Sequence, residues 1–207
     1  MKIHNIEQGS DEWFEVRKGK MTASHAQAIG SAIKTTKTGK TTIGAGITTY
    51  ILSLMSEVYS SAEKERYSNE HMDRGVELED EAAEIYSLNS GDELEKVGFI
   101  EYNEFVGCSP DRLVKDKKEG VEIKCPSDEV YFKLLIDQKI DTKYLWQIMM
   151  CLLITGYKKW RYVVYNPNFK QDIIIIDVYP DEEKFEALRK GFDEGEKQIK
   201  LINERLK

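Results

Sequence analysis

The sequence is poor in the residues that build zinc or thiol centres. Its three histidines, His4, His25 and His71, have no metal-ligand spacing, which argues against zinc. Its three cysteines, Cys108, Cys125 and Cys151, are odd in number, widely spaced and free of any CxxC pair. That usage reads as reduced thiols in a cytosolic protein rather than a disulfide framework. No apolar run approaches the roughly 18 residues of a membrane span. The opening MKIHNIEQGSDEW lacks the apolar stretch of a secretory signal. No membrane partner is expected, and no internal repeat is visible.

What is present is globular: 207 residues, 41% hydrophobic and 32% charged, enough for one domain over 1–207 with a real core. The net charge of −7 speaks at first against a nucleic-acid partner. The charge is uneven along the chain, however: +3 over 1–50, −11 over 51–104, +4 over 105–170 and −3 over 171–207. A basic groove in an acidic exterior would suit a DNA enzyme, because the field acts locally. Uneven charge on a solvated surface is the simpler account of this pattern taken alone.

Periodicity and punctuation predict the elements. SDEWFEVRK reads as a short helix with Ser10 as N-cap and Gly19 as its stop. A second helix is expected from Thr22, and residues 31–48, rich in Gly, Thr and Lys, are expected as a mobile basic loop. That loop holds TGKTT, but the position where a phosphate-binding loop needs its first glycine is Lys34, and no apolar strand precedes it, so an NTPase is rejected. Helices are predicted over TTYILSLMSEVYSSA and SNEHMDRGVELEDEAAEIYSLNSG. Strands are predicted in LEKVGFIEY, FVGCSPDRLV, GVEIKC, WRYVVYN and DIIIIDVY. Between them lie helices SDEVYFKLLIDQ and KYLWQIMMCLLITG, and an amphipathic helix over 181–207 closes the chain. This order implies an α/β fold, one mixed sheet flanked by helices. Two polar residues break apolar patterns. Glu79 falls in the stripe of Met72, Val76, Ala83 and Tyr86, where a carboxylate needs an arginine, a place at the stripe's edge or a metal. Gln147 interrupts a nearly all-apolar helix, and a buried amide must find partners.

The densest chemistry lies in GCSPDRLVKDKKEGVEIKCPS. Glu122 and Lys124 share one face of a strand, and a turn through KDKKEG would bring Asp111 across from them. Two carboxylates at one point repel, and a hard divalent cation relieves the repulsion. Such an ion activates water and offsets charge on a phosphate, and Lys124 could add to that stabilisation. In isolation an Asp, a Glu and a Lys near a hairpin also describe a solvated face.

These residues do not stand alone. The stretch resembles the PD-(D/E)xK nuclease motif. GSDEWFEVRKGKMTAS, RGVELEDEAAEIY, GCSPDRLV, GVEIKCP and YLWQIMMCLLITG resemble, in order, the phage lambda exonuclease and YqaJ viral recombinase family. The resemblance spans roughly residues 8–167 and implies a restriction-endonuclease-like α/β core. It implies a 5′-to-3′ exonuclease on duplex DNA ends that leaves 3′ overhangs, works as a homotrimeric ring and has a single-strand annealing protein as partner. It also implies a phage or prophage origin and action in the bacterial cytoplasm. By the same resemblance Asp111, Glu122 and the main-chain carbonyl of Ile123 would hold Mg²⁺, or Mn²⁺ in its place, with two ions per site once substrate is bound. Lys124 would be the catalytic lysine, with Glu79, an optional further ligand, and Gln147 completing the site. Arg17, Thr22, Ser24 and Ser109 would pocket a 5′-phosphate. The rival readings are an endonuclease on the same core and a catalytically silent DNA-end-binding protein.

Overall fold

Local chemistry sets the first element of the computed structural model, which describes residues 1–35, 41–61 and 70–206. Ser10 accepts a hydrogen bond from the Trp13 N–H and caps a helix that Gly19, at φ +74°, brings to a stop. The elements in chain order are β1 (Lys2–His4), α1 (Asp11–Arg17), β2 (Met21–Thr22), α2 (Ala26–Gly30), β3 (Ile33–Thr35), β4 (Thr41–Ile43), α3 (Ala45–Tyr59) and α4 (Glu70–Ser90). There follow β5 (Leu94–Glu95), β6 (Phe99–Asn103), β7 (Val106–Cys108), β8 (Arg112–Val114), β9 (Glu119–Lys124), α5 (Asp128–Asp137), α6 (Thr142–Thr155), β10 (Lys159–Tyr165), β11 (Ile173–Val178) and α7 (Glu182–Arg205).

The central sheet is mixed, in the order β11-β10-β9-β8-β5. Strands β9 and β10 run parallel, so the chain must cross over between them, and α5 and α6 make that crossover. Alternation along β9 sorts its side chains. Val121 and Ile123 join Val114, Val163 and Tyr165 against Ala82, Ala83 and Tyr86 of α4. Glu122 and Lys124 therefore face the other side, where α6 lies. The larger core there is built from α2, α3, α6 and α7, with Trp160 and Tyr162 from β10. A second sheet, β1-β6-β7-β2, borders that core.

Helix α7 lies close against this core through two glycines one turn apart. A Cβ at Gly191 would stand 2.1 Å from the Ile29 carbonyl oxygen, and one at Gly195 would stand 2.3 Å from Met21 Sδ. The predicted α/β class forms, with a mixed central sheet flanked by helices and a helix over Glu182–Arg205, but not with the single sheet expected: LEKVGFIEY and FVGCSPDRLV each divide, β5 and β8 joining the central sheet and β6 and β7 the second.

Three local expectations change. The helix expected from Thr22 begins only at Ala26, because Met21 and Thr22 pair in parallel with Val106 and Gly107 and a 3-10 turn, Ala23–His25, intervenes. The stretch 31–48, expected as a single loop, contains β3 and β4, paired through Ile33↔Ile43 and Lys34↔Thr42, and the start of α3. Its β-branched Ile and Thr residues suit a strand pair, and residues 36–40 lie outside the described residues. Strand β1 was not anticipated; it pairs with β6 through Ile3↔Ile100. In the α4 stripe, Ala83 and Tyr86 are buried, while the side chains of Met72 and Val76 lie outside the described set.

Candidate active site

The hairpin of β8 and β9 assembles the carboxylates. Its antiparallel register, Arg112↔Val121 and Leu113↔Gly120, brings the residue before β8 alongside the second half of β9. Asp111 Oδ2 accepts a hydrogen bond from the Ile123 N–H at 2.7 Å, which fixes the carboxylate beside Glu122. The connecting turn is closed by Asp116 at φ +58°, a left-handed position that aspartate tolerates.

Glu122 is fully buried. Its Oε1 accepts from Lys124 Nζ and from Gln147 Nε2, both at 2.5 Å, so the polar break in α6 has its partner in the site. Its Oε2 is buried with no hydrogen-bond partner among the described residues. Lys124 Nζ also donates to the Ile123 carbonyl at 2.9 Å and lies 3.6 Å from Asp111 Oδ2. Burial, and then the charge of Asp111, push the Glu122 carboxyl up to about 8. Burial works against the charge of Lys124, but Asp111 and Glu122 outweigh it and hold the ammonium well above its ordinary value. The two shift the same way for different reasons: the acid chiefly through burial, the lysine through its two neighbouring carboxylates. Tyr144, one turn before Gln147 on α6, places its ring 5.5 Å from Lys124 Nζ. Sequence reasoning missed it, although the i, i+3 spacing from Gln147 marks it as a neighbour.

Glu79 reaches the cluster from the opposite face of the sheet and is paired there. Its Oε1 accepts from Arg112 Nη1 at 2.6 Å, which realises the arginine partner that its place in the stripe allowed. Arg112, only 5% exposed, also donates to the Asp111 carbonyl and through Nη2 to Asp80, both at 2.5 Å. Burial and then Asp111 raise the Glu79 carboxyl, with Arg112 opposing.

A second cluster forms around Ser109. Arg17 Nη1 donates to Ser109 Oγ at 2.7 Å, Trp13 Nε1 donates to the same oxygen at 3.0 Å, and the guanidinium lies 3.9 Å from the Trp13 ring centre. Arg17 is half-buried and forms no ion pair among the described residues, and burial lowers it to about 10. Thr22 and Ser24 share a hydroxyl contact at 3.2 Å, and the Thr22 N–H donates to the Tyr50 hydroxyl. Among the described residues Arg17 forms no hydrogen bond with Thr22 or Ser24; the charge interaction between Arg17 and Tyr50 marks the two halves as neighbours. Ser109 lies two residues before Asp111, so Arg17, with no ion pair among the described residues, is tied to the segment that carries Asp111.

The donors that fit a metal here are all oxygen: Asp111, Glu122 with its unpartnered Oε2, and the Ile123 carbonyl. Among the described residues no three His, Cys, Asp or Glu side chains form a ready cage. Hard oxygen donors suit Mg²⁺ or Mn²⁺ rather than zinc.

Comparison with known proteins gives the family. The YqaJ-like viral recombinase domain matches residues 12–158, most of the chain. The chain belongs to that family. Solved structures resemble it over nearly their whole length. An alkaline exonuclease from Laribacter hongkongensis is 25% identical with a TM-score of 0.77, covering 95% of this chain and 98% of that one. The same enzyme in complex with dAMP is 26% identical at the same TM-score and coverage. A phage-related exonuclease from Haemophilus somnus shares the fold at 16% identity and TM-score 0.68, covering 91% and 96% of the two chains. No curated protein matches the sequence. As a YqaJ-family chain it carries the PD-(D/E)xK core, and no helix among its described residues is long and apolar enough to cross a membrane.

Proposed function

We propose that this chain is a metal-dependent deoxyribonuclease that digests one strand of linear duplex DNA from its 5′ end and leaves a 3′ single-stranded overhang. A nuclease of phage-type recombination is the coarser reading that the family and the exonuclease likeness support. One observation supports the metal-dependent chemistry: Asp111, Glu122 and Lys124 converge, with Gln147 bonded to Glu122 and the second Glu122 oxygen buried with no partner among the described residues.

Asp111, Glu122 and the Ile123 carbonyl would hold Mg²⁺ or Mn²⁺, with two ions per site once DNA is bound. When bound, such a cation makes water nucleophilic near neutral pH and offsets charge on a phosphate oxygen. Lys124, bonded to Glu122 and 3.6 Å from Asp111, would serve as a donor and a positive charge beside the phosphate. Gln147 fixes the Glu122 carboxylate. Arg17, bonded to Ser109 and with no ion pair among the described residues, would take the terminal 5′-phosphate with it and set the polarity, with Thr22 and Ser24 adjoining. A homotrimeric ring around DNA and a single-strand annealing protein as partner belong to the same proposal, as does a phage or prophage gene acting in the bacterial cytoplasm.

The test compares linear and covalently closed duplex in Mg²⁺ and in excess chelator. The expected result is an intact circle and a linear form reduced from its 5′ ends to 3′-tailed product, only with metal. Cutting of the circle would make the chain an endonuclease on the same core. Binding of ends without cutting would make it a silent end-binding protein.

A further inference from the structure

Four charged groups beside the proposed metal site compensate one another. Glu79 and Asp80 of α4 face Arg112 at 2.6 and 2.5 Å, and Asp80 also pairs with Lys96 at 2.7 Å. Two acids meet two bases, so this quartet carries no net charge. Arg112 is the member that touches the site, because its Nη1 also donates to the Asp111 main-chain carbonyl. It projects from β8 toward the α4 side of the sheet, opposite to the face of Glu122 and Lys124. Its near-complete burial leaves it no solvent alternative to these acceptors.

We infer that Arg112 is a positioning residue which withholds Glu79 from the metal, leaving Asp111, Glu122 and the Ile123 carbonyl as the protein's whole donor set. The inference rests on the metal-dependent reading above and refines it, since Glu79 is otherwise a candidate third carboxylate ligand. A guanidinium bound to Glu79 Oε1 and to the backbone of Asp111 does two things. It fixes the main chain that carries one ligand, and it cancels a negative charge that would otherwise add to the pull of Asp111 and Glu122 on the ion. Removing Arg112 should therefore tighten cation binding, opposite to what loss of a ligand produces.

The experiment titrates Mn²⁺ into the DNA-free full chain and reads free Mn²⁺ by electron paramagnetic resonance, with thermal unfolding recorded for every variant. Glu79→Gln should weaken Mn²⁺ binding by only about fivefold, because it leaves the Arg112 charge uncompensated. Arg112→Gln should tighten it by about fivefold, the effect of one uncompensated unit charge ~8 Å from a divalent ion in water-like surroundings. The double variant should return to the parent value, because the gain comes from the freed Glu79 carboxylate. A purely structural role for Arg112 would lower the unfolding temperature without this reversal. Glu79→Gln weakening Mn²⁺ as severely as Asp111→Asn would overturn the inference, as would an Arg112→Gln affinity equal to the parent's. If Arg112→Gln fails to fold, Arg112→Lys, which keeps the charge, must bind as the parent does, and the Glu79→Gln arm still decides. Asp111→Asn separates the two levels: if it binds Mn²⁺ like the parent, the metal assignment itself falls and takes this inference with it.

Discussion

The proton on Glu122 should compete directly with the metal. Burial and the neighbouring Asp111 push this carboxyl from the model-compound value of 4.5 up to about 8. In the metal-free protein that shift has a definite sign. The folded state holds the proton more tightly than the unfolded state, so this group's contribution to stability falls as pH rises from about 4.5 to about 8. A cation that needs the ionised form must displace the proton below that upper limit. Ionisation therefore rises steeply between pH 6 and pH 9, so apparent affinity should climb by at least about tenfold between them. Titrating Mn²⁺ into the DNA-free protein at pH 6, 7, 8 and 9 measures this, and the metal-induced rise in unfolding temperature should grow in parallel. Glu122→Gln should abolish both binding and the pH trend. An affinity that stays flat from pH 6 to pH 9 would refute the reasoning, because it would mean that Glu122 is ionised throughout or is not a ligand.

Asp111→Ala should abolish cleavage while leaving binding to duplex ends largely intact, which a gel-shift assay beside a digestion assay reads out. Arg17→Ala should slow digestion of 5′-phosphorylated ends by about tenfold to 100-fold, the worth of a charge-assisted hydrogen bond, and leave 5′-hydroxyl ends little changed; equal slowing would make Arg17 a general DNA contact or a fold residue. Gly191→Ala should destabilise by roughly 1–3 kcal/mol through overpacking, seen as a lower unfolding temperature, because its Cβ would meet the Ile29 carbonyl at 2.1 Å.

The hairpin was legible because two short-range rules suffice for it: alternation puts Glu122 and Lys124 on one face, and a turn brings Asp111 back. Gln147 was legible as an anomaly, and its bond to Glu122 explains it. Glu79 was legible only as a question. Whether a striped carboxylate meets an arginine or a metal depends on Arg112, 33 residues away in sequence, and local periodicity contains no such pairing. The contact between Arg17 and Ser109, 92 residues apart, came from the family resemblance and not from spacing. Strand β1 escaped notice because three residues are too few to show a period. The β3–β4 pair escaped because Gly, Thr and Lys read as loop composition, and pairing between β-branched residues overrode that.

The family match ends at residue 158, one residue before β10 begins. Everything that names the chemistry lies within the match, yet a chain cut there would lose the strand that pairs with β9 from Glu119 to Lys124. The strand bearing Glu122 and Lys124 would become an open edge, with its outward amides and carbonyls free to recruit another chain. Loss of α7 would also strip the cover from Met21 and Ile29, which flank Thr22 and Ser24. A fragment trimmed to the recognisable domain would therefore keep every motif and aggregate through the strand that carries them.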